Sequence, residues 1–268
     1  MPALAANYTM AELSGLSARQ PVADSFLGGR LLLHQPAKGH RCGTDAVLLA
    51  AAVPADFSGH AIDAGAGIGA AGLALAITRP RAHVGLVEID PFAVALARAN
   101  VVQNGLSDRC YTAEADLLSL EGLQSEGVYN ERAGLVITNP PFLDPAKSRL
   151  PPEPGKRRAR AMQEDGPSAL AAWIAASLAL VAPAGMLIII HRPDVLPVIL
   201  KTLAGRAGAI TVMPVYPRLK SKARRILVRA KKGSRAPFAL ATPLVLHNEH
   251  GFTPAADAIH RGKSAIEW

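Results

Sequence analysis

Short apolar runs of strand-like composition alternate with helix-like segments along most of this chain, and that alternation restricts the fold more than any other feature. Strands are predicted to end at residue 63 and to cover 83–88, 110–113, 134–138, 186–190, 210–215 and 226–228. Helices are predicted between them over 70–78, 91–104, 169–182 and 193–204. Parallel strands need long crossovers, and crossovers carry helices, so the expected fold is α/β, with a mostly parallel sheet between two helical layers. Upstream, residues 30–34 with the turn residues Lys38 and Gly39 predict a short extended element or hairpin. Thr44 or Asp45 then reads as the N-cap of an Ala/Leu-rich helix reaching Val53 and closed by Pro54. The chain divides into a small N-terminal extension (1–43), a main domain (44–235) and a C-terminal tail (236–268) packing on that domain.

Residues 169–190 are apolar except for Ser177 and long enough to cross a bilayer. Pro183-Ala184-Gly185 divides them into a buried helix and a buried strand, so no membrane span is expected. Half of the residues are hydrophobic, enough for one large core. The two cysteines, Cys42 and Cys110, are far apart and lack ligand-type neighbours, which gives neither a disulfide framework nor a zinc site; no metal is expected. Glu12 and Arg19 interrupt the start of the chain before any apolar run of signal-peptide type, and a cytoplasmic location is expected.

The segment Asp63-Ala64-Gly65-Ala66-Gly67-Ile68-Gly69 follows a strand and opens a helix. Its glycines let the backbone pass close to a ligand and turn sharply, presenting helix N–H groups to carboxylate or phosphate oxygens. Glu88 ends the next strand, where a carboxylate accepts from two adjacent ribose hydroxyls. This much suits a nicotinamide dinucleotide as well as S-adenosylmethionine, because Gly65, Gly67 and Ala70 also satisfy G-x-G-x-x-A. Two carboxylates favour S-adenosylmethionine. Asp63 is placed to organise the loop and meet a cationic amino-acid end, and Asp116, past the third strand, to accept from an adenine amine.

Asn139-Pro140-Pro141-Phe142 follows the strand 134–138 directly. Ligands of open parallel sheets sit at strand carboxyl ends, so this tetrapeptide and the glycine loop are expected to face one crevice. An aromatic exocyclic amine is a weak nucleophile because its lone pair is delocalised into the ring. Two acceptors that hold both N–H bonds, Asn139 Oδ1 and the Pro140 carbonyl, turn that lone pair toward a methyl donor, while Phe142 stacks on the base.

The net charge is +8, and between Asp194 and Glu249 the chain carries eleven Lys and Arg residues and no acidic one. That bias reads as a phosphate-tracking face, with Lys220 and Lys222 as candidate RNA contacts. Arg157, Arg158 and Arg160 crowd a Pro-rich loop after Phe142, which is expected to close on RNA phosphates. His34, His40, His191, His247, His250 and His260 are scattered and read as structural.

Together, Asp63 to Gly69, Glu88, Asp116 and Asn139 to Phe142 resemble the Rossmann-like class I S-adenosylmethionine-dependent methyltransferases of the amino-group type. Arg41-Cys42-Gly43-Thr44-Asp45-Ala46-Val47-Leu48-Leu49 is similar to the corresponding stretch of the bacterial tRNA1(Val) adenine-N6 methyltransferases, as are Arg157, Ala159 and Arg160 after the tetrapeptide. The resemblance implies a three-layer sandwich with a seven-stranded sheet, S-adenosylmethionine as cofactor, and a tRNA adenine as acceptor. It further implies that Asn139, Pro140 and Phe142 are catalytic, and that Thr44, Asp45, Asp63, Gly65, Gly67, Glu88, Asp116 and Asn139 border the cofactor. Those tRNA enzymes usually carry Tyr at the place of Phe142, whereas Phe is common in ribosomal RNA guanine-N2 methyltransferases, which leaves the base open. Alternatives are a protein glutamine-N5 methyltransferase, an NAD-dependent dehydrogenase on the same sheet, and a catalytically idle RNA-binding protein.

Overall fold

The central strands are apolar at most positions on both faces, so they are stable only when covered on both faces. A computed structural model, which describes residues 21–36, 42–141 and 167–268, shows how that cover is made. A hairpin of β1 (Pro21–Phe26) and β2 (Leu31–Pro36) precedes helix α1 (Thr44–Ala51). Next come β3 (Gly59–Ala64), α2 (Ala70–Thr78), β4 (Ala82–Glu88), α3 (Pro91–Gln103), β5 (Cys110–Glu114), α4 (Leu120–Ser125) and β6 (Ala133–Thr138). Beyond residue 166 follow α5 (Pro167–Leu180), β7 (Val181–His191), α6 (Leu196–Leu203), β8 (Ala207–Arg218) and β9 (Arg225–Lys232). The tail contributes β10 (Ala239–Leu240), β11 (Leu244–Asn248), β12 (Gly251–Phe252) and α7 (Pro254–His260).

The main sheet runs β12-β11-β8-β9-β7-β6-β3-β4-β5, with β10 also on β8. Strands β5, β4, β3, β6 and β7 are parallel, and β9 lies antiparallel between β7 and β8. Alternating side chains feed two cores. Leu135, Ile137, Ile188 and Ile190 pack with α1, α2 and α3, whereas Val136, Leu187 and Ile189 pack with α5 and α6. The expected three layers are present.

Four details differ from the sequence expectation. The sheet has ten strands among the described residues rather than seven, because β10 and β11 pair with the outer edge of β8, satisfying backbone groups that an open edge would leave bare, and β12 pairs with β11. The N-terminal hairpin lies upstream of the predicted turn, with Gly28 and Gly29 at φ 66° and 95° in its bend; Lys38 and Gly39 lie outside the described residues. Gly43, not Thr44 or Asp45, occupies the N-cap of α1, and no side chain caps it. Pro183-Ala184-Gly185 does not end an element but forms a bulge, where the pairing of β6 with β7 jumps from Ala133–Val181 to Leu135–Met186. A bulge accommodates the missing N–H of Pro183 and the φ of 61° at Ala184. No described helix is long and apolar enough to cross a membrane.

Two asparagines one helical turn apart, Asn100 on α3 and Asn104 at its C-cap, attach the N-terminal hairpin to this body. The Leu32 N–H donates to Asn104 Oδ1 (3.0 Å) and Asn104 Nδ2 donates to the Leu32 carbonyl (2.7 Å). The His34 N–H donates to Asn100 Oδ1 (2.7 Å), and Asn100 Nδ2 donates to the carbonyls of His34 (3.2 Å) and Ile68 (3.0 Å). Asn100 thereby ties β2 to the glycine loop. At the other end of the chain, the Ile266 N–H donates to the Ala51 carbonyl (2.7 Å) and Trp268 Nε1 to that of Ala52 (2.8 Å). Because Asn100 is fully buried, Asn100→Ala strands three backbone groups; a loss of about 1–3 kcal/mol is expected in urea unfolding, with a smaller loss for the more exposed Asn104→Ala.

Candidate active site

Strand register places the two sequence motifs side by side. Ala64 pairs with Thr138 on one flank and with Val87 on the other, so residues 65 and 139 leave the sheet next to each other. This is the point where the chain, having run outward from β3 to β5, returns to the opposite side of β3, and such reversals open a crevice. The Thr138 hydroxyl donates to the Ala64 carbonyl (2.8 Å) and accepts from Trp173 Nε1 (2.9 Å), clamping both strand ends to α5.

Trp173 also explains Gly65. A Cβ there would lie 2.5 Å from Trp173 Cζ2, and the backbone φ is 73°, so both space and conformation demand glycine. The close neighbour expected to be a ligand is, at this position, an indole ring. A Cβ on Gly67, at φ 56°, would meet nothing within 4 Å, so that side of the loop opens onto free space. The loop is held from below: the N–H groups of Gly65 and Ala66 both donate to the Val87 carbonyl (2.9 Å each). Glu88 Oε2 accepts from the Gly67 N–H (2.8 Å), and Oε1 accepts from those of Ile89 (2.8 Å) and Asp90 (2.9 Å).

Asp63 is only 2% exposed, and its Oδ2 accepts from the Gly72 N–H (2.7 Å), which fixes the first turn of α2. Burial pushes its pKa up to about 7, and the Glu88 charge adds to the rise against the opposing hydrogen bond from Gly72. Burial and the Asp63 carboxylate push the Cys42 thiol up to about 11, which leaves it unreactive at neutral pH. Asp116 lies two residues past β5 at the same edge, half-buried, with Oδ1 accepting from the Leu118 N–H (3.0 Å). Asn139 Oδ1 is buried and accepts no hydrogen bond among the described residues, and Pro140 beside it is buried as well. Phe142, Arg157, Arg158 and Arg160 lie outside the described residues.

The remaining predicted residues gather on the β7–β9 side of the edge. Asp45 Oδ2 accepts from Arg225 Nε (2.8 Å), and Thr44 Oγ1 stands 3.5 Å from His260 Nε2. Arg225 was not foreseen as a site neighbour; its one signal was an acidic residue 180 positions away. Trp173 was missed too, although an indole N–H inside an otherwise apolar helix asks for a partner. His191 ends β7, its Nδ1 accepting from the Arg192 N–H (2.8 Å); burial, with the charges of Arg192 and Arg225, lowers its pKa to about 4, so the ring is neutral. Lys220 and Lys222 are exposed in the β8–β9 turn at the same edge.

The basic stretch does not form one face. Arg218, Lys220, Lys222 and Arg224 stand at the carboxyl edge, while Arg206, Lys231 and Lys232 lie at the opposite end, where Ala207 pairs with Lys232. Lys232 is engaged by Glu131 (3.1 Å), and Arg229 lies 4.6 Å from the Trp268 ring.

A family model described as the methyltransferase small domain matches residues 41–151. A crystal structure of a predicted O-methyltransferase from Agrobacterium tumefaciens superimposes with a TM-score of 0.69 at 30% identity, covering 83% of this chain and 98% of that one. The chain belongs to the methyltransferase family. This methyltransferase is also similar to the tRNA1(Val) (adenine(37)-N6)-methyltransferase of Porphyromonas gingivalis, with 39% identity over 148 residues, 53% of this chain and 55% of the relative. The ribosomal RNA small subunit methyltransferase C of Ectopseudomonas mendocina is 38% identical over 84 residues, 31% of this chain and 22% of that protein. The matched region thus spans about half the length of the first curated relative and less of the second.

Asp63 and His191 give opposite pH slopes to stability. Asp63 holds its proton from 3.8, its ordinary value, up to about 7 in the fold, so its contribution to stability falls as pH rises through that window. His191, neutral in the fold, contributes stability that is lost as pH falls from 6.5 toward about 4. Asp63→Asn is therefore expected to gain on the parent protein as pH rises from about 4 to about 7, with a constant difference above that, in urea midpoints taken across the range. A difference independent of pH would refute the buried proton.

Proposed function

We propose that this methyltransferase carries a methyl group from S-adenosylmethionine to an exocyclic amino nitrogen of RNA, with N6 of a tRNA adenine as the preferred acceptor. The observation that carries the reading is Asn139 Oδ1, a buried acceptor beside the glycine loop without a donor among the described residues. An amide oxygen kept dry and unsatisfied costs about 1–3 kcal/mol, which a substrate N–H recovers on binding.

The residues at the edge fit the cofactor. Gly67 opens onto space beside Glu88, whose Oε2 has one lone-pair direction left for a ribose hydroxyl, and buried Asp63 is suited to a cationic amino-acid end. Gly65, Asp116, Thr44 and Asp45 complete the proposed border. When bound, S-adenosylmethionine supplies an electrophilic methyl carbon. This chain's own part is alignment: Asn139 Oδ1 and the Pro140 carbonyl hold the two N–H bonds, and Phe142 stacks on the base. Positioning of this kind contributes up to roughly 7–11 kcal/mol. The methylated amine sheds its proton without a strong base, and His191 is left as a neutral wall of the site.

Similarity to a relative named for adenine N6 supports that base. Phe142 and the similarity to a ribosomal RNA methyltransferase support guanine N2 as the second reading. Four exposed cations at the catalytic edge favour RNA over a protein glutamine. Labelled methyl transfer to unmodified tRNA, followed by nucleoside mass spectrometry, separates the readings: N6-methyladenosine is the expected product, and label in protein alone would refute the proposal. Asn139→Ala is expected to lower kcat by about a hundredfold while weakening S-adenosylhomocysteine binding far less. Affinity for tRNA should fall steeply with salt, and Lys220→Ala or Lys222→Ala should each reduce the log–log slope by about one.

A further inference from the structure

The β8–β9 turn has features that phosphate binding alone does not explain. The last pair between β8 and β9 is Val215 with Arg225, yet β8 continues three residues further, a projection of about 10 Å beyond the shared ladder. Its tip is a locked turn: the Ser221 N–H (2.9 Å) and Ser221 Oγ (2.6 Å) both donate to the Arg218 carbonyl, and the Arg218 N–H donates to Ser221 Oγ (3.1 Å). The two central residues of that turn are Leu219 and Lys220. Leu219 is 76% exposed, the most exposed of the large hydrophobic side chains among the described residues, and the exposed Arg218, Lys220, Lys222 and Arg224 flank it along the turn.

The tail holds this projection upright. β11 pairs with the overhanging part of β8, Val245 against Tyr216 and His247 against Arg218, and His247 Nδ1 donates to the Pro217 carbonyl (3.2 Å). Phe252 stacks on His247 (4.7 Å) and His260 on Phe252 (4.3 Å), a three-ring pile that ends near Thr44. A rigid turn that presents an apolar side chain among cations resembles neither a core element nor a solvated loop. Sheet order puts it two to three strands from Asn139, about 10–15 Å along the same edge.

We infer that Leu219 is a wedge that enters the base stack of the RNA and fills the gap left when the target nucleotide turns out toward Asn139, while the surrounding cations hold the flanking phosphates. The inference rests on the RNA amino-methylation reading. Extruding a stacked base costs energy, and apolar side chains inserted at the vacated step offset part of it. Chain 239–260 is then the brace that keeps the wedge from folding back.

The test compares two RNAs: a tRNA anticodon stem-loop, in which the target adenine is stacked, and a short oligonucleotide with the adenine between uridines, in which there is little stack to open. Leu219→Ala is expected to lower kcat/KM on the stem-loop by about tenfold and on the oligonucleotide by less than about twofold, and Leu219→Phe to restore the stem-loop rate. Equal losses on both RNAs, or no loss on either, would overturn the wedge alone. Absence of methyl transfer to both RNAs by the unaltered protein would overturn the amino-methylation reading and the wedge with it.

Discussion

The Thr138 hydroxyl sits where everything else in the site must register. It donates to the end of β3, accepts from the indole of α5, and immediately precedes Asn139. With one oxygen so committed, the glycine loop and the tetrapeptide cannot slide relative to each other, because a shift of one residue would break both bonds and exchange the side chains of β6 between the two cores. Trp173 adds the third side of the clamp by filling the space that any side chain at Gly65 would need. The proposed alignment of a donor carbon with an acceptor nitrogen is intolerant of small displacements, and the strand ends give it a fixed reference.

The glycine loop is itself organised before any ligand arrives. Glu88 accepts three backbone N–H groups and Asp63 a fourth, so two carboxylates that the sequence suggested for binding also build the loop. The two tasks are compatible, since a carboxylate has about four lone-pair directions. The tension shows in Asp63, whose burial makes the charged form costly and whose rise in pKa records that cost.

The alternation of strands and helices, the glycine loop and the tetrapeptide were legible because each depends on local chemistry: apolar runs, residues free to take positive φ, and proline next to a polar amide. What escaped depends on contacts across long stretches of chain. The bulge at Pro183-Ala184-Gly185 reads locally as a terminator and becomes part of β7 only because β6 offers a partner on both sides of it. The pairing of Asp45 with Arg225 joins residues 180 positions apart, and the strands of the tail are too short to show a period. The run of cations looked like one surface in the sequence, but antiparallel β8 and β9 carry its members to opposite ends of the sheet.

The side-chain amides of Asn100 and Asn104 have a consequence beyond attachment. β2 is hydrogen-bonded to β1 along one side, and its other side would present alternating free N–H and C=O groups, the template on which strands of separate molecules join. Because the amides satisfy Leu32 and His34 as a neighbouring strand would, that border is sealed by a helix. A two-stranded ribbon that would otherwise invite association with its own kind is thereby made self-limiting.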